Sequence, residues 1–155
     1  MKFKIFVFTI NCSVQMIALI IINTIILLLL SCLHFYWAFG GRRFYDSAVP
    51  TGENGKKIFQ PGLFATLVVA CGLLLFVIIM MGNSGIWDSL ISRKFFHYAT
   101  YVVALIFLLR SIGDFKFIGF FKRAKQTAFA IKDTTIYSPL CFCISCISFI
   151  VTVYS

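Results

Sequence analysis

Residues 14–39 read VQMIALIIINTIILLLLSCLHFYWAF, a stretch with no acidic residue, no lysine and no arginine. Crossing about 30 Å of membrane hydrocarbon as a helix takes roughly 20 residues at about 1.5 Å each. The stretch is long enough for that crossing, and within a bilayer only a helix satisfies the backbone hydrogen bonds of a single segment. It therefore predicts a first membrane-spanning helix.

Three further apolar stretches predict spans at residues 61–82, 95–112 and 138–154. Apolar residues make up 61% of the 155-residue chain, charged residues only 12%, and the mean hydropathy is +0.98. This composition leaves too little polar surface for a water-soluble protein. We expect an all-α integral membrane protein, with four transmembrane helices in one small bundle and residues 1–155 as a single domain. The last span, opening at Ser138-Pro139, is short at about sixteen residues.

The first ten residues combine two lysines with bulky apolar residues, as a signal peptide does. No small-residue cleavage site follows them, so we expect them to be retained. Two forms are compatible with the sequence. The segment either extends the first helix or lies in the membrane interface.

The basic residues divide unevenly between the two faces that four crossings define. One face has four: Lys2, Lys4, Arg93 and Lys94. The other has ten: Arg42, Arg43, Lys56, Lys57, Arg110, Lys116, Lys122, Arg123, Lys125 and Lys132. The positive-inside rule then predicts cytoplasmic first and third loops and termini on the outside. The net charge of +9 suits anionic lipid headgroups, and we expect membrane lipids rather than nucleic acid as partners.

The third loop has helical periodicity. Phe117, Phe120, Phe121, Ala124, Ala128 and Ile131 fall on one face, and Lys122, Arg123 and Gln126 fall on the other. This pattern predicts an interfacial amphipathic helix between the third and fourth spans. The simpler alternative is a loop that its aromatic residues anchor at the interface.

Two motifs stand at the ends of spans, HFYWAFGG at residues 34–41 and RSIGDF at 110–115. GFFKR at 119–123, TAFA at 127–130, Asp133 and YSPLC at 137–141 follow. Together they resemble the small bacterial membrane family described as domain of unknown function 3995, over nearly the whole chain. The resemblance implies a four-helix membrane protein and implies no activity; we expect this protein in the bacterial plasma membrane.

The first helix has one polar stripe. At about 100° per residue, Asn23 and His34 lie about 20° apart, with Ser31 and Trp37 close by and Tyr36 opposite. This stripe should face the bundle interior. His34 is then a candidate proton carrier, ligand anchor or metal ligand. The alternative is a histidine that is hydrogen-bonded to a neighbouring helix beside the interfacial aromatic residues.

Arg110 and Asp114 are four residues apart and can pair on one face of a helix end. The pair either neutralises the end of the third span or presents an arginine, oriented by Asp114, to an anionic headgroup or substrate. Arg42 follows Gly40-Gly41 and could extend such a site, although a helix C-terminus commonly ends in glycine for conformational reasons.

The cysteines and acids give no sign of a metal site, and we expect no metal and no cofactor. Cys141, Cys143 and Cys146 form a C-x-C-x-x-C, but the first two point about 160° apart on a helix, so the three cannot converge on one ion. A packing stripe of small residues accounts better for this helix: Cys141, Ser145, Ser148 and Thr152. All five acids lie in loops or at span ends, so a mid-membrane carboxylate for proton-coupled export is missing.

These observations favour a protein that binds a lipid, another amphipathic ligand or a membrane partner at its cytoplasmic face. The candidate ligand-binding residues are His34, Trp37, Arg42, Arg110 and Asp114. The alternatives are a membrane-embedded enzyme on a lipid-like substrate, with His34 as acid or base and Arg110 on an anionic group, or a small transporter subunit. No nucleophile motif supports an enzyme. The chain could also form a homo-oligomer.

Overall fold

The computed structural model describes residues 2–50, 57, 59–114, 118–123 and 127–154. The described residues form six α-helices, and a π-helical turn, Asp133–Tyr137, connects the last two. These helices are α1 Lys2–Ala38, α2 Tyr45–Ala48, α3 Leu63–Gly82, α4 Arg93–Ile112, α5 Ala128–Lys132 and α6 Ser138–Tyr154. Four helical stretches are long and apolar enough to cross a membrane: Ser13–Ala38, Leu63–Gly82, Arg93–Ile112 and Ala128–Tyr154. The predicted all-α fold with four membrane spans is confirmed.

The fourth span is longer than the sequence analysis predicted. Its helix begins at Ala128 and covers 27 residues, whereas the sequence predicts a start at Ser138-Pro139. Proline normally interrupts a helix because it lacks an N–H and crowds the carbonyl four residues earlier. Here a wider π turn precedes Pro139, and the Ser138 N–H donates to the Asp133 carbonyl five residues back. The helix therefore continues through the proline.

The N-terminal segment is helical. α1 begins at Lys2 and continues without a break to Ala38, so the structure agrees with a helical extension of the first span. At its other end Gly40 has a left-handed backbone, with φ of 91°. The Gly40 N–H donates to the Trp37 carbonyl at 3.1 Å and the Gly41 N–H to the Tyr36 carbonyl at 2.9 Å. This Schellman motif ends α1 and turns the chain.

The four long helices form a ring in chain order. α1 packs most extensively on α3, and α4 on α6, while smaller contacts join α3 to α4 and α1 to α6. Inside the ring lies an apolar core whose fully or almost fully buried side chains include Leu27, Met80, Val103, Ile144 and Val151. The bundle thus consists of two helical hairpins, α1–α3 and α4–α6, packed side by side.

The polar stripe of α1 faces this core, as predicted. Asn23 and Ser31 are buried, and Tyr36 is 48% exposed. Asn23 Nδ2 donates to Ser148 Oγ of α6 at 2.9 Å, and Ser31 Oγ donates to the Ala70 carbonyl of α3 at 2.8 Å. These hydrogen bonds fix α1 against two neighbours.

The small-residue face of α6 also packs as expected. Ser145, Ser148 and Thr152 are buried. Ser145 Oγ donates to the Ala104 carbonyl of α4 at 2.8 Å. Small side chains at these positions let the neighbouring backbones approach closely.

In the described part of the third loop, the predicted amphipathic helix forms only at its C-terminal end, where Ala128–Lys132 are helical as α5. Residues 118–123 form turns and bends, and residues 115–117 and 124–126 lie outside the described residues. Lys122, assigned to the polar face, is 2% exposed. The loop instead closes on itself at Gly113 and Gly119, whose φ values are 87° and 90°. A Cβ on either glycine would collide with the backbone of the other strand of the loop.

Candidate ligand-binding site

The first and third loops meet at one end of the bundle. Lys132 Nζ donates to Ser47 Oγ at 2.7 Å, and Tyr137 Oη donates to the Ser47 carbonyl at 3.3 Å. The predicted convergence of these loops on one side is therefore confirmed. Short helix α2 lies across this end and is joined by those hydrogen bonds to α5, through Lys132, and to the π turn, through Tyr137.

A half-open cavity of about 530 Å³ lies beneath α2, between all four long helices. This volume falls in the range of about 300–1,000 Å³ that small-molecule sites occupy. Most of its wall is apolar, including Val69, Leu73, Phe76, Ile106 and Phe107. Four residues with polar groups line it as well: His34, Trp37, Arg110 and Tyr137. We refer to it as the apolar cavity.

Arg110 is held at this cavity by Asp133, a fully buried residue. Arg110 Nη2 donates to Asp133 Oδ1 at 3.1 Å, and the Arg110 side chain is 35% exposed. The predicted pairing of Arg110 with Asp114 is wrong. Asp114 Oδ1 instead accepts the Ile118 N–H at 2.9 Å within the third loop. The loop folds back so that a residue 23 positions away reaches the guanidinium.

Lys122 completes the cluster around Asp133. Its Nζ donates to Asp133 Oδ2 at 2.9 Å, to Thr134 Oγ1 at 2.6 Å and to the Gly119 carbonyl at 3.1 Å. The Gly119 N–H donates to the same carboxylate oxygen at 2.8 Å. An ammonium group has three N–H donors, so this protein network uses all of them. Lys122 is a structural cation and is closed to ligands.

Arg110 keeps binding capacity that Lys122 has lost. Its Nη1 is buried and has no hydrogen-bond partner among the described residues, while the Arg110 side chain as a whole is 35% exposed, and a guanidinium carries five donors. Two cations, Arg110 and Lys122, contact the single carboxylate of Asp133. The cluster consequently has a formal excess of one positive charge at the wall of a largely apolar cavity.

His34 and Trp37 form the aromatic side of the cavity. Their ring centroids are 5.0 Å apart in an edge-on arrangement. His34 Nδ1 lies 2.8 Å from the Leu30 carbonyl of its own helix, which differs from the predicted hydrogen bond to a neighbouring helix. Trp37 Nε1 donates to the Arg43 carbonyl at 2.9 Å. The His34 ring is thus oriented by its own helix, and Trp37 ties that helix to the first loop.

A second cavity, of about 360 Å³, lies on the other side of Trp37. We refer to it as the polar cavity. Arg42, Lys57 and Gln60 line it, together with the glycine turn after α1 and the start of α3. Trp37 belongs to the walls of both cavities.

The structure thus separates the five candidate residues into three places. His34, Trp37 and Arg110 share the apolar cavity, and Arg42 lines the polar cavity with Trp37. Asp114 lines neither cavity. Sequence reasoning missed Asp133, Lys122 and Tyr137. The signal for Asp133 was its place as one of only two acids, with Asp114, in a loop that carries five basic residues, Lys116, Lys122, Arg123, Lys125 and Lys132.

The described part of the chain contains no cluster of side chains suited to bind a metal ion. No three His, Cys, Asp or Glu side chains gather there in a group that could hold an ion. Cys141, Cys143 and Cys146 have free thiols on α6.

The fold is that of a small membrane protein with four helices long and apolar enough to span the bilayer. A cavity large enough for a small molecule lies at one end of this bundle. The chain belongs to the family described as "Protein of unknown function (DUF3995)", whose model matches residues 27–148. The match covers α3, α4, most of α6 and the His34 end of α1, so it includes both cavities. Comparisons with curated proteins and with solved structures gave no match.

Proposed function

We propose that the protein binds an amphipathic anion, with the apolar part of the ligand in the apolar cavity and its anionic group at Arg110. The observation that carries this proposal is the wall of the cavity. It is largely apolar and ends at a cluster with one excess positive charge. A purely apolar ligand would leave that charge unused.

Both halves of such a ligand would gain free energy on binding. Burying apolar surface contributes about 25 cal/mol per Å². Hydrogen bonds from a charged donor contribute about 1.5–3 kcal/mol each, and Asp133 already holds the guanidinium in place. Tyr137 and His34 line the same cavity and supply further polar contacts for a headgroup.

The proposal includes a location, the plasma membrane of a bacterium, with the cavity end of the bundle on the cytoplasmic side. The cluster of basic residues in the first and third loops supports that orientation. Membrane lipids and their single-chain derivatives are then the ligands nearest at hand. The cavity is half open, so a ligand can enter without passage through the core.

The decisive experiment fills the cavity. Gly72 lines it, and a Cβ there would meet no atom within 4 Å, so Gly72→Leu projects its side chain into the ligand space. Val68 is on the same helix and 56% exposed, which makes Val68→Leu the matched control. We expect native mass spectrometry with added oleate to show a bound mass in the wild type and in Val68→Leu but not in Gly72→Leu. Equal retention by Gly72→Leu, or no oleate bound to the wild type, would refute the proposal.

A second candidate is an enzyme acting on the same ligand class, because His34 and Arg110 line one cavity. His34 would move a proton while Arg110 holds the anionic group. Incubation with extracted membrane lipids should then yield a product mass with the wild type and none with His34→Gln. A product formed equally by both proteins would exclude His34 as the catalytic group.

A further inference from the structure

The polar cavity is formed where α1 ends and α3 begins. Its wall includes Gly40 and Gly41 from the turn after α1, and Pro61 and Leu63 from the start of α3. Arg42, Tyr45, Lys57, Gln60 and Thr66 contribute the side chains with polar groups. The apolar cavity does not share these polar side chains, so the polar cavity has its own chemistry.

Positive charge dominates this region. The connection between α1 and α3 carries Arg42, Arg43, Lys56 and Lys57 against two acids, Asp46 and Glu53. It therefore has a net charge of +2 (four cations minus two carboxylates) whichever side chains pair. Two of its cations, Arg42 and Lys57, line the cavity. Lys57 Nζ lies 5.2 Å from the ring centroid of Tyr45, another wall residue.

The N-terminus of α3 adds to this positive potential. The N-cap residue is Gly62, which has no side chain with which to cap the first-turn N–H groups. Thr66 lies in that turn, but its Oγ1 donates to the Gly62 carbonyl at 3.0 Å rather than accepting a bond there. The N–H groups of a helix N-terminus and the helix dipole together favour an anion at such an end.

The neighbouring C-terminus of α1 opposes this potential only weakly. Its Tyr36 and Trp37 carbonyls accept the Gly41 and Gly40 N–H groups in the Schellman turn. A Cβ at Gly41 would collide with the Tyr36 ring, so glycine is what allows the turn to close. Because these carbonyls already accept backbone hydrogen bonds, their negative ends are partly offset by the N–H groups that they face.

We propose that the polar cavity is a binding site for a phosphate-type oxyanion. Arg42 provides a planar set of donors that matches an oxyanion, and Lys57 and the α3 N-terminus supply further positive potential. The anion has two possible sources with the same chemistry, free inorganic phosphate or the phosphate of an anionic lipid headgroup. This site is separate from the amphipathic-ligand site, although Trp37 contacts both.

The full-length protein in neutral detergent would be titrated with inorganic phosphate by isothermal calorimetry. Arg42→Gln is the test variant. Arg43→Gln is the matched control, because Arg43 is the adjacent cation in the sequence but does not line the cavity. Loss of a charge-assisted hydrogen bond should weaken binding about tenfold or more in Arg42→Gln and less than threefold in Arg43→Gln. Gly72→Leu, which fills the apolar cavity, should bind phosphate like the wild type.

A second arm identifies the source of the anion. Nanodiscs containing phosphatidic acid or only phosphatidylcholine would be compared for lipid retained on the extracted protein. Arg42-dependent phosphate binding supports a free anion. Arg42-dependent retention of phosphatidic acid without phosphate binding supports a headgroup. Absence of both, or equal effects of Arg42→Gln and Arg43→Gln, would overturn the proposal whatever the outcome for the apolar cavity.

Discussion

The carboxylate of Asp133 is fully buried, and each of its oxygens has a partner. Oδ1 accepts from Arg110, and Oδ2 accepts from Lys122 and from the Gly119 N–H. Removal of one member of a buried ion pair leaves an uncompensated charge, which usually costs about 3–5 kcal/mol. Here the removal of Asp133 would leave two cations facing each other.

We expect Asp133→Asn to lower the free energy of unfolding by about 3–5 kcal/mol. The Asp88–Arg93 pair provides the control, since its atoms are 3.8 Å apart and its side chains are 43% and 54% exposed. Asp88→Asn should change stability by less than about 1 kcal/mol. Denaturant unfolding in detergent, followed by far-UV circular dichroism, measures both. Similar losses in the two variants would show that the buried cluster contributes little.

At the scale of single elements, the turn that closes the third loop depends on two glycines. Gly113 and Gly119 have positive φ and face each other too closely for a side chain. Gly119 also donates its N–H to Asp133. A change in this turn therefore disturbs the cluster that holds Arg110.

We predict that Gly113→Ala and Gly119→Ala each destabilise the protein, because alanine would both strain the backbone and collide with the opposite chain. Gly72→Ala is the comparison, as it lies within α3 with open space around it. That change should be neutral or stabilise by up to about 1 kcal/mol. The midpoint of thermal unfolding, measured for each of the three alanine variants and for the wild type, would test these expectations. Unchanged thermal stability of both Gly113→Ala and Gly119→Ala would contradict the close approach of the two backbone segments at these glycines.

The four long helices could be predicted from the sequence, but the helical segment of the fourth span that precedes Ser138 could not. Apolar length located α3 and α4 to within two residues, and the 100° periodicity assigned Asn23 and Ser31 to the inner face of α1. Pro139 suggested a helix start because local sequence does not reveal a π turn. That turn, Asp133–Tyr137, depends on tertiary contacts such as those of Asp133.

For the molecule as a whole, the number of membrane spans predicted which loops lie at the same end of the bundle. The side-chain contacts between those loops became visible only in the tertiary structure. Shared topology brought His34, Trp37 and Arg110 to one end, as the four-span arrangement required. Spacing alone favoured Arg110–Asp114, since residues four apart are neighbours on a helix. The helix ends at Ile112, however, so Asp114 lies in the loop and Asp133 takes its place. Helix periodicity predicts side-chain neighbours only within a helix, so it could not predict that Arg110 pairs with Asp133.

Orientation in the membrane is testable with two exposed positions at opposite ends of the bundle. In a cysteine-free background, we expect Ser89→Cys to react with a membrane-impermeant maleimide in intact cells. Phe44→Cys, at a residue 63% exposed in the first loop, should react only after the membrane is permeabilised. This pattern is what the proposed cytoplasmic position of the first and third loops requires. The reverse pattern would place the cavities on the outer side.

The pairing of α1 with α3 and of α4 with α6 has a consequence for how the gene could be divided. Each strongly packed pair is contiguous in the chain, and the connection between the pairs includes exposed Ser89 and Leu90. A chain interrupted there would yield two polypeptides, each able to insert as an independent hairpin. Reassembly of those halves would recreate the apolar cavity, because its wall takes residues from both. The protein therefore offers a natural split point at which ligand-dependent complementation of two fragments could serve as a sensor.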